Sequence, residues 1–494
     1  MNRRIKQLGI GLVALYVVLF GALNYWQLGS TTRLEANADN TRAIIRQYER
    51  PRGPIVTADG IVAARSIPTN GGQTAYQRNY PQADLYAHLT GYHTLQLGST
   101  QLERLWNDEL TGDSTLNRLI SVGELLGGQP LDNSGTVTLT IKHALQRAAR
   151  DALGDREGSI VMLDITTGEV LAMWSWPSYD PNIVADPNYN AASAYLTGLY
   201  ADDRDPLLAN TYQQRYMPGS TMKVLTTSVG LANGTINLDT TWPAESAWLP
   251  PQTNDPIQNY GGSVCGGNLT EVFARSCNIP FAQTAVAMGP ELFDLGMTAW
   301  GVGEPVPIDL PRPAASTIGN DVDTLADNLP LLAMRGFGQN EVQLVPLHLA
   351  MITAAIANEG VMLEPHVVDT VKNHNGGIVH ASEPTVWREP ISPEIANAMV
   401  DLMTEVATRG TASCCIGLNG GVSVAAKTGT AQLNGPGEPE RSHAWITAFA
   451  PVEAPRYAVT VMVKGTNDEI SASTGGRLAG PIAKTMLDTA FALD

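Results

Sequence analysis

The strongest constraint on the fold of this chain is an uncharged stretch near its amino terminus. No residue from Leu8 to Leu28 is charged, and residues 8–20 are almost wholly apolar. At a rise of about 1.5 Å per residue, a helix over this stretch is about 30 Å long, which matches the hydrocarbon thickness of a bilayer. The stretch is therefore predicted to be a transmembrane helix.

The flanking charges predict its orientation. Arg3, Arg4 and Lys6 precede the stretch without an acidic residue among them, and such basic flanks tend to stay in the cytoplasm. Residues 1–7 are expected to be a cytoplasmic tail, and the chain beyond residue 28 is expected to lie outside the cytoplasm. Two alternatives stay open at this point: a buried core helix, or a cleaved signal peptide, because residues 36–38 (Ala-Asn-Ala) have the form of a cleavage site.

The net charge argues against a nucleic-acid partner, and the cysteine spacing argues against a metal site. The chain has 31 basic and 48 acidic residues, a net charge of −17, which is opposite to the charge that binds a nucleic-acid backbone. The four cysteines, at positions 265, 277, 414 and 415, show no C-x-x-C spacing. No nucleic-acid partner, metal site or cofactor is predicted.

The character of the sequence changes near Ser134. Residues 29–134 are polar and irregular, which predicts an extended module with short strands. Residues 136–141 then alternate as a strand, and residues 159–164 and 169–174 are predicted to form a hairpin at the centre of an antiparallel sheet. Helices are predicted at 220–231, 347–357 and 395–407, and strands at 445–449 and 457–463. Strands at both ends and helices between them indicate an α/β (α+β) domain over 135–494, with helices packed on one sheet.

Three short motifs carry chemistry. Ser220 and Lys223 are spaced to share one face of a helix, as a nucleophile and its base would be, provided that burial or a neighbouring cation keeps the lysine neutral. Ser276-Cys277-Asn278 lies in a predicted loop, and Lys427-Thr428-Gly429 ends an apolar strand. Each motif alone also fits an ordinary helix cap, turn or strand.

Taken together, S-x-x-K, S-x-N and K-T-G in this order are the active-site signature of penicillin-binding proteins and serine β-lactamases. The chain resembles a class B penicillin-binding protein, most closely the short actinobacterial-type cell-division transpeptidases. Further segments share the resemblance: Arg52-Gly53-Pro54-Ile55, Arg78-Asn79-Tyr80-Pro81, Leu102-Glu103, Pro177-Ser178-Tyr179-Asp180 and Gly336-Phe337-Gly338-Gln339.

The resemblance implies a β-lactamase/transpeptidase-like fold on an extended N-terminal pedestal (29–134), a peptidoglycan stem-peptide substrate and acylation by β-lactam antibiotics. It also implies a polytopic SEDS-type glycosyltransferase as partner. The implied catalytic residues are Ser220, Lys223, Ser276 and Lys427, and the implied substrate-binding residues are Asn278, Thr428, Gly429 and Thr430. The backbone N–H groups of Ser220 and Thr430 would form the oxyanion hole.

Two alternatives to a transpeptidase stay open, and they differ from it in what happens to the acyl-enzyme. One is a D,D-carboxypeptidase or β-lactamase-type hydrolase, and the other is a β-lactam sensor or a scaffold protein. An oxidising compartment would also permit a Cys265–Cys277 disulfide, whereas the adjacent Cys414 and Cys415 are expected to be free or weakly coupled thiols.

Overall fold

The computed structural model describes residues 2–25, 48–69, 74–112, 133–434 and 441–494. The amino-terminal helix α1 runs from Asn2 to Asn24 and is long and apolar enough to cross a membrane. Its apolar side chains are exposed in the isolated chain, which argues against the alternative of a buried core helix. Residues 26–28 of the predicted segment and the Ala-Asn-Ala triplet at 36–38 lie outside the described residues.

Beyond α1, the described α-helices are short in the pedestal and of mixed length after residue 134. They are α2 Ala87–Thr90, α3 Gln101–Leu105, α4 Asn107–Thr111, α5 His143–Leu153, α6 Pro181–Val184, α7 Tyr189–Tyr200, α8 Met222–Ala232, α9 Leu269–Ala274, α10 Ile279–Ala299, α11 Val322–Asp327, α12 Leu329–Arg335, α13 Pro346–Ala357, α14 Pro393–Thr408, α15 Asp468–Ser471 and α16 Gly475–Leu493.

The described strands are mostly short, apart from those of one central sheet. They are β1 Ile55–Val56, β2 Val62–Pro68, β3 Tyr76–Asn79, β4 His93–Thr94, β5 Gly98–Ser99, β6 Thr136–Leu139, β7 Gly158–Asp164, β8 Val170–Trp176, β9 Thr241–Glu245, β10 Ala247–Trp248, β11 Ile257–Gln258, β12 Cys265–Asn268, β13 Met362–Leu363, β14 Val368–Lys372, β15 Ile378–Ala381, β16 Val386–Arg388, β17 Ala425–Gln432, β18 Ser442–Ala450 and β19 Tyr457–Val463.

The central sheet has five antiparallel strands in the order β17-β18-β19-β7-β8. Every residue of β18 and β19 is buried, as expected for strands covered by helices on both faces. Helices α5 and α16 pack on each other and on this sheet, and α13 and α14 also pack against it. The predicted antiparallel sheet sandwiched by helices is confirmed.

One detail of the sheet prediction is wrong. The β7–β8 hairpin forms as predicted, but β8 is an edge strand and the central position belongs to β19. The reason is topological: the last two strands of the chain insert between the first hairpin and the other edge, β17. The apolar residues of the hairpin could not reveal this order, because an apolar run indicates that a strand is buried and not which strands lie next to it.

The pedestal module contributes to a second, six-stranded sheet in the order β15-β14-β6-β1-β2-β3. Strands β1 and β6 pair in parallel, so residues on both sides of position 134 share this sheet. In the same module, the Glu103 carboxylate accepts from the Nε atoms of Arg52 and Arg78, each at 2.6 Å. All three side chains are buried, and the two guanidinium groups hold the pKa of Glu103 at about 2 despite its burial.

Candidate active site

Ser220 lies in a tight turn where the backbone of β17 comes close. A 3-10 turn, Gly219–Thr221, leads into helix α8. Gly219 has a φ of 53°, and a Cβ atom there would lie 2.5 Å from the carbonyl oxygen of Thr430. Only glycine fits both the conformation and the space. The turn thus presents the partly exposed Ser220 hydroxyl directly beside strand β17.

Lys223, one helical turn later, is completely buried. Its Nζ lies 2.9 Å from Ser220 Oγ, 2.7 Å from the Ser276 carbonyl oxygen, 3.3 Å from Ser276 Oγ and 2.9 Å from Asn278 Oδ1. Burial lowers the pKa of Lys223 well below its usual value, and the positive charge of Lys427 lowers it further. Among the residues that the structure describes, no carboxylate contacts this amine to compensate a charge.

When Lys223 is neutral, its contacts determine where the lone pair of the amine points. A neutral amine has two N–H donors and one acceptor site. The Ser276 carbonyl can only accept, and Asn278 presents Oδ1 because its Nδ2 donates to the Gln258 carbonyl at 3.0 Å. These two acceptors take both N–H groups. The lone pair is then left for the Ser220 hydroxyl, which is the arrangement that activates a nucleophile.

Ser276 and Asn278 come from the loop between α9 and α10, as predicted. Ser276 has a φ of 57°, a conformation that is rare for a residue other than glycine. The Asn259 side chain holds the next part of the loop, because its Oδ1 accepts from the backbone N–H groups of Asn278 at 2.8 Å and Ile279 at 3.2 Å. This local support offsets the backbone strain at the serine.

Lys427 reaches the same loop from β17, the edge strand of the central sheet. Its Nζ donates to Ser276 Oγ at 2.8 Å and to the Thr428 carbonyl at 3.1 Å. The side chain is fully buried, and burial lowers the pKa of Lys427 to about 7. The Ser276 hydroxyl therefore lies between two lysine amines.

The rest of the K-T-G motif lines the same strand. Thr428 Oγ1 lies 2.5 Å from the hydroxyl of Thr411, and Thr430 Oγ1 accepts from the backbone N–H of Gly475 at 3.3 Å. At Gly429, a Cβ atom would lie 2.7 Å from the carbonyl oxygen of Pro218. Glycine is needed here because the turn that carries Ser220 packs directly on the strand.

The structure therefore brings all eight residues named from the sequence to one site. At this site the two lysines are buried, whereas Ser220, Ser276 and Asn278 are partly exposed. Among the described residues, no group of three or more His, Cys, Asp or Glu side chains could hold a metal ion.

Comparison with known proteins agrees with this geometry. The family model for the penicillin binding protein transpeptidase domain matches residues 158–488, and that for the penicillin binding protein A dimerisation domain matches residues 52–135. The chain belongs to the class B penicillin-binding proteins. This family membership accounts for the central sheet, the helices around it and the order of the three motifs.

Relatives within the family match over the whole chain. The peptidoglycan D,D-transpeptidase PbpA of Mycolicibacterium smegmatis is 35% identical over 99% of each chain, and that of Mycobacterium tuberculosis is 34% identical over the same share. Penicillin-binding protein A from M. tuberculosis, solved as a ceftriaxone acyl-enzyme complex, superposes with a TM-score of 0.82 at 32% identity, covering 90% of this chain and 99% of that one. Its penicillin G acyl-enzyme complex gives a TM-score of 0.80 at 32% identity, covering 90% of this chain and all of that one.

Two residues of this class B site were not singled out from the sequence. Asn259 and Thr411 each support a motif residue through one hydrogen bond, from loops that precede that motif residue by 19 and 17 residues. A single asparagine or threonine in a loop has no local signature, so no pattern in the sequence could have indicated either one.

The cysteines form two pairs. Cys265 and Cys277 are disulfide-bonded with a Cα–Cα distance of 5.8 Å, inside the usual range, so the middle residue of S-x-N is tied to β12. The expectation that Cys414 and Cys415 are free or weakly coupled thiols is wrong, because the structure joins them in a disulfide. They lie in the turn after α14, where the backbone brings the two neighbouring side chains together.

Proposed function

We propose that this chain is a peptidoglycan D,D-transpeptidase that cross-links stem peptides through an acyl-enzyme on Ser220 and is acylated there by β-lactams. The observation that carries the proposal is the set of contacts of Lys223 Nζ: it lies 2.9 Å from Ser220 Oγ, and two acceptors, the Ser276 carbonyl and Asn278 Oδ1, can take both N–H groups of the neutral amine. The relatives named as transpeptidases and the acyl-enzyme complexes of a similar structure support the same chemistry.

In the first half-reaction, Ser220 Oγ attacks the carbonyl carbon of the penultimate D-alanine while its proton passes to Lys223 Nζ. The backbone N–H groups of Ser220 and Thr430 stabilise the oxyanion, supported by the contact between these two backbone segments. The C–N bond then breaks. The Ser276 hydroxyl, between both lysines, relays a proton to the departing D-alanine nitrogen.

Strand β17 supplies most of the residues that bind the substrate. Lys427 and the hydroxyls of Thr428 and Thr430 hold the terminal carboxylate, and Gly429 lets the peptide approach the strand closely. Asn278 binds the substrate's peptide group. In the second half-reaction, an amine of a neighbouring stem peptide attacks the ester carbonyl, forms the cross-link and returns the proton to Ser220.

The test is labelling with fluorescent penicillin and product analysis with a stem-peptide substrate. The Ser220→Ala variant is expected to lose labelling completely, whereas Ser228→Ala is the matched control, since the Ser228 hydroxyl donates to the Leu225 carbonyl of the same helix α8. Wild-type protein is expected to form cross-linked dimers. Release of D-alanine without dimers would instead support the hydrolase alternative, and labelling without either product would support a sensor or scaffold.

Residues 8–28 are proposed to anchor the protein in the bacterial cell membrane, with residues 1–7 in the cytoplasm and the domain 135–494 outside. The length and composition of α1 and the basic residues before the apolar run support this orientation. Protease added to intact spheroplasts should remove the catalytic domain and spare an amino-terminal epitope tag. Protection of the catalytic domain would contradict the orientation.

The pedestal (29–134) is proposed to bind the polytopic SEDS-type glycosyltransferase that makes the glycan strands. This proposal comes from the family resemblance alone. It is tested by cross-linking of lipid-linked substrate with and without the glycosyltransferase, using full-length protein in detergent. Equal yields of cross-linked product, together with no co-purification, would contradict the partnership.

A further inference from the structure

Thr411 contacts two parts of the site that are distant from each other in the chain. It lies just after α14, is exposed to solvent, and its Oγ1 lies 2.5 Å from Thr428 Oγ1. Its backbone N–H donates to the carbonyl of Ala274 at 3.2 Å, two residues before Ser276. One residue thus contacts both the K-T-G strand and the end of the helix that precedes the S-x-N loop.

The backbone, and not the side chain, holds Thr411 in this position. A Cβ atom on Gly410 would lie 2.4 Å from the Ala274 carbonyl oxygen, and one on Gly476 would lie 2.5 Å from the Thr411 carbonyl oxygen. The turn is therefore packed tightly between α9 and the start of α16. Removal of the Thr411 hydroxyl alone should leave this packing and the Ala274 hydrogen bond in place.

We propose that Thr411 is a positioning residue that directs the hydroxyl proton of Thr428 at the carboxylate of the bound peptide or β-lactam. The inference rests on the proposed function of the same site. A carboxylate can only accept hydrogen bonds, so Thr428 must donate to it. The 2.5 Å contact then requires that Thr411 donates and Thr428 accepts, and such a chain polarises and strengthens the bond to the ligand.

The experiment separates binding from chemistry in the acylation of the full-length protein by penicillin G. Thr411→Val and Thr411→Ala are expected to raise the apparent dissociation constant before acylation about fivefold, which corresponds to about 1 kcal/mol for one hydrogen bond. The limiting acylation rate is expected to stay within about twofold, because no reacting atom is moved. Thr411→Ser keeps the hydroxyl and should restore the wild-type constant.

The matched control is Thr408→Val at the end of α14, since the Thr408 hydroxyl donates to the carbonyl groups of Thr404 and Glu405 within that helix. It should behave like the wild type, and thermal unfolding of all variants checks that they are folded. An unchanged dissociation constant in Thr411→Val, or a loss in Thr411→Ser as large as in Thr411→Val, would overturn the inference. Failure of wild-type protein to be acylated would contradict the proposed function itself.

Discussion

The electrostatic coupling between the two buried lysines gives the sharpest prediction. The Nζ atoms of Lys223 and Lys427 lie 3.3 and 2.8 Å from the same Ser276 hydroxyl, so they are at most about 6 Å apart. Two unit charges at that distance repel by about 2.8 kcal/mol at an effective dielectric constant of about 20, which is about two pKa units. The Lys427→Met variant should therefore raise the pKa of Lys223 at pH values below about 7, where Lys427 of the wild type is charged, while the larger effect of burial persists.

The assay is the pH dependence of the limiting acylation rate at saturating penicillin, followed by rapid quench from pH 5 to 10. Acylation needs the neutral amine of Lys223, so the rate rises as pH passes through its pKa. In Lys427→Met this rise should occur at higher pH, and below about pH 7, where Lys427 of the wild type is charged, the rate should be up to about 100-fold lower. The limiting rate is chosen because Lys427 is also proposed to bind the ligand carboxylate.

The control is Lys484→Met, which removes a lysine that pairs with Asp488 on the surface of α16. Its profile should coincide with that of the wild type. If the rise in Lys427→Met stays within half a pH unit of the wild-type position, the coupling argument is refuted, and burial alone would account for the neutral Lys223.

Two further predictions concern stability. The Glu103→Gln variant leaves two buried guanidinium groups without a counter-charge and should lose about 3–5 kcal/mol of unfolding free energy at pH 7, measured by urea denaturation; a loss below about 1 kcal/mol would contradict the role of this carboxylate. Because the folded-state pKa of Glu103 is depressed to about 2, its contribution is present above the ordinary pKa of a glutamate and is lost as pH falls toward 2. The Cys265→Ser/Cys277→Ser double variant opens a loop with a sequence separation of 12 and should lose about 3 kcal/mol, whereas Cys414→Ser/Cys415→Ser opens a minimal ring and should lose about 1 kcal/mol. Equal losses in the two double variants would contradict the loop-entropy explanation.

The sequence alone predicted the elements whose signal is local. Strand β19 was predicted with its observed bounds, and α13 was predicted within one residue at its start, because burial on both faces or an all-apolar helix leaves a continuous apolar run. The motif residues were also identifiable, since nucleophile, base and glycine recur at set spacings. The boundary at 134/135 stays a prediction, and the pairing of β1 with β6 shows that one sheet extends across it.

Only the tertiary structure decided how these segments meet. Ser220, Ser276 and Lys427 lie far apart in the chain, and their convergence depends on close backbone packing at Gly219 and Gly429, which no local pattern encodes. The order of the central strands and the support from Asn259 and Thr411 likewise depend on contacts between distant segments. The sequence determined which chemical groups are available and which stretches are buried. The fold determined that two lysines share one serine hydroxyl at a buried position that disfavours charge, because desolvation and proximity are properties of the packed state.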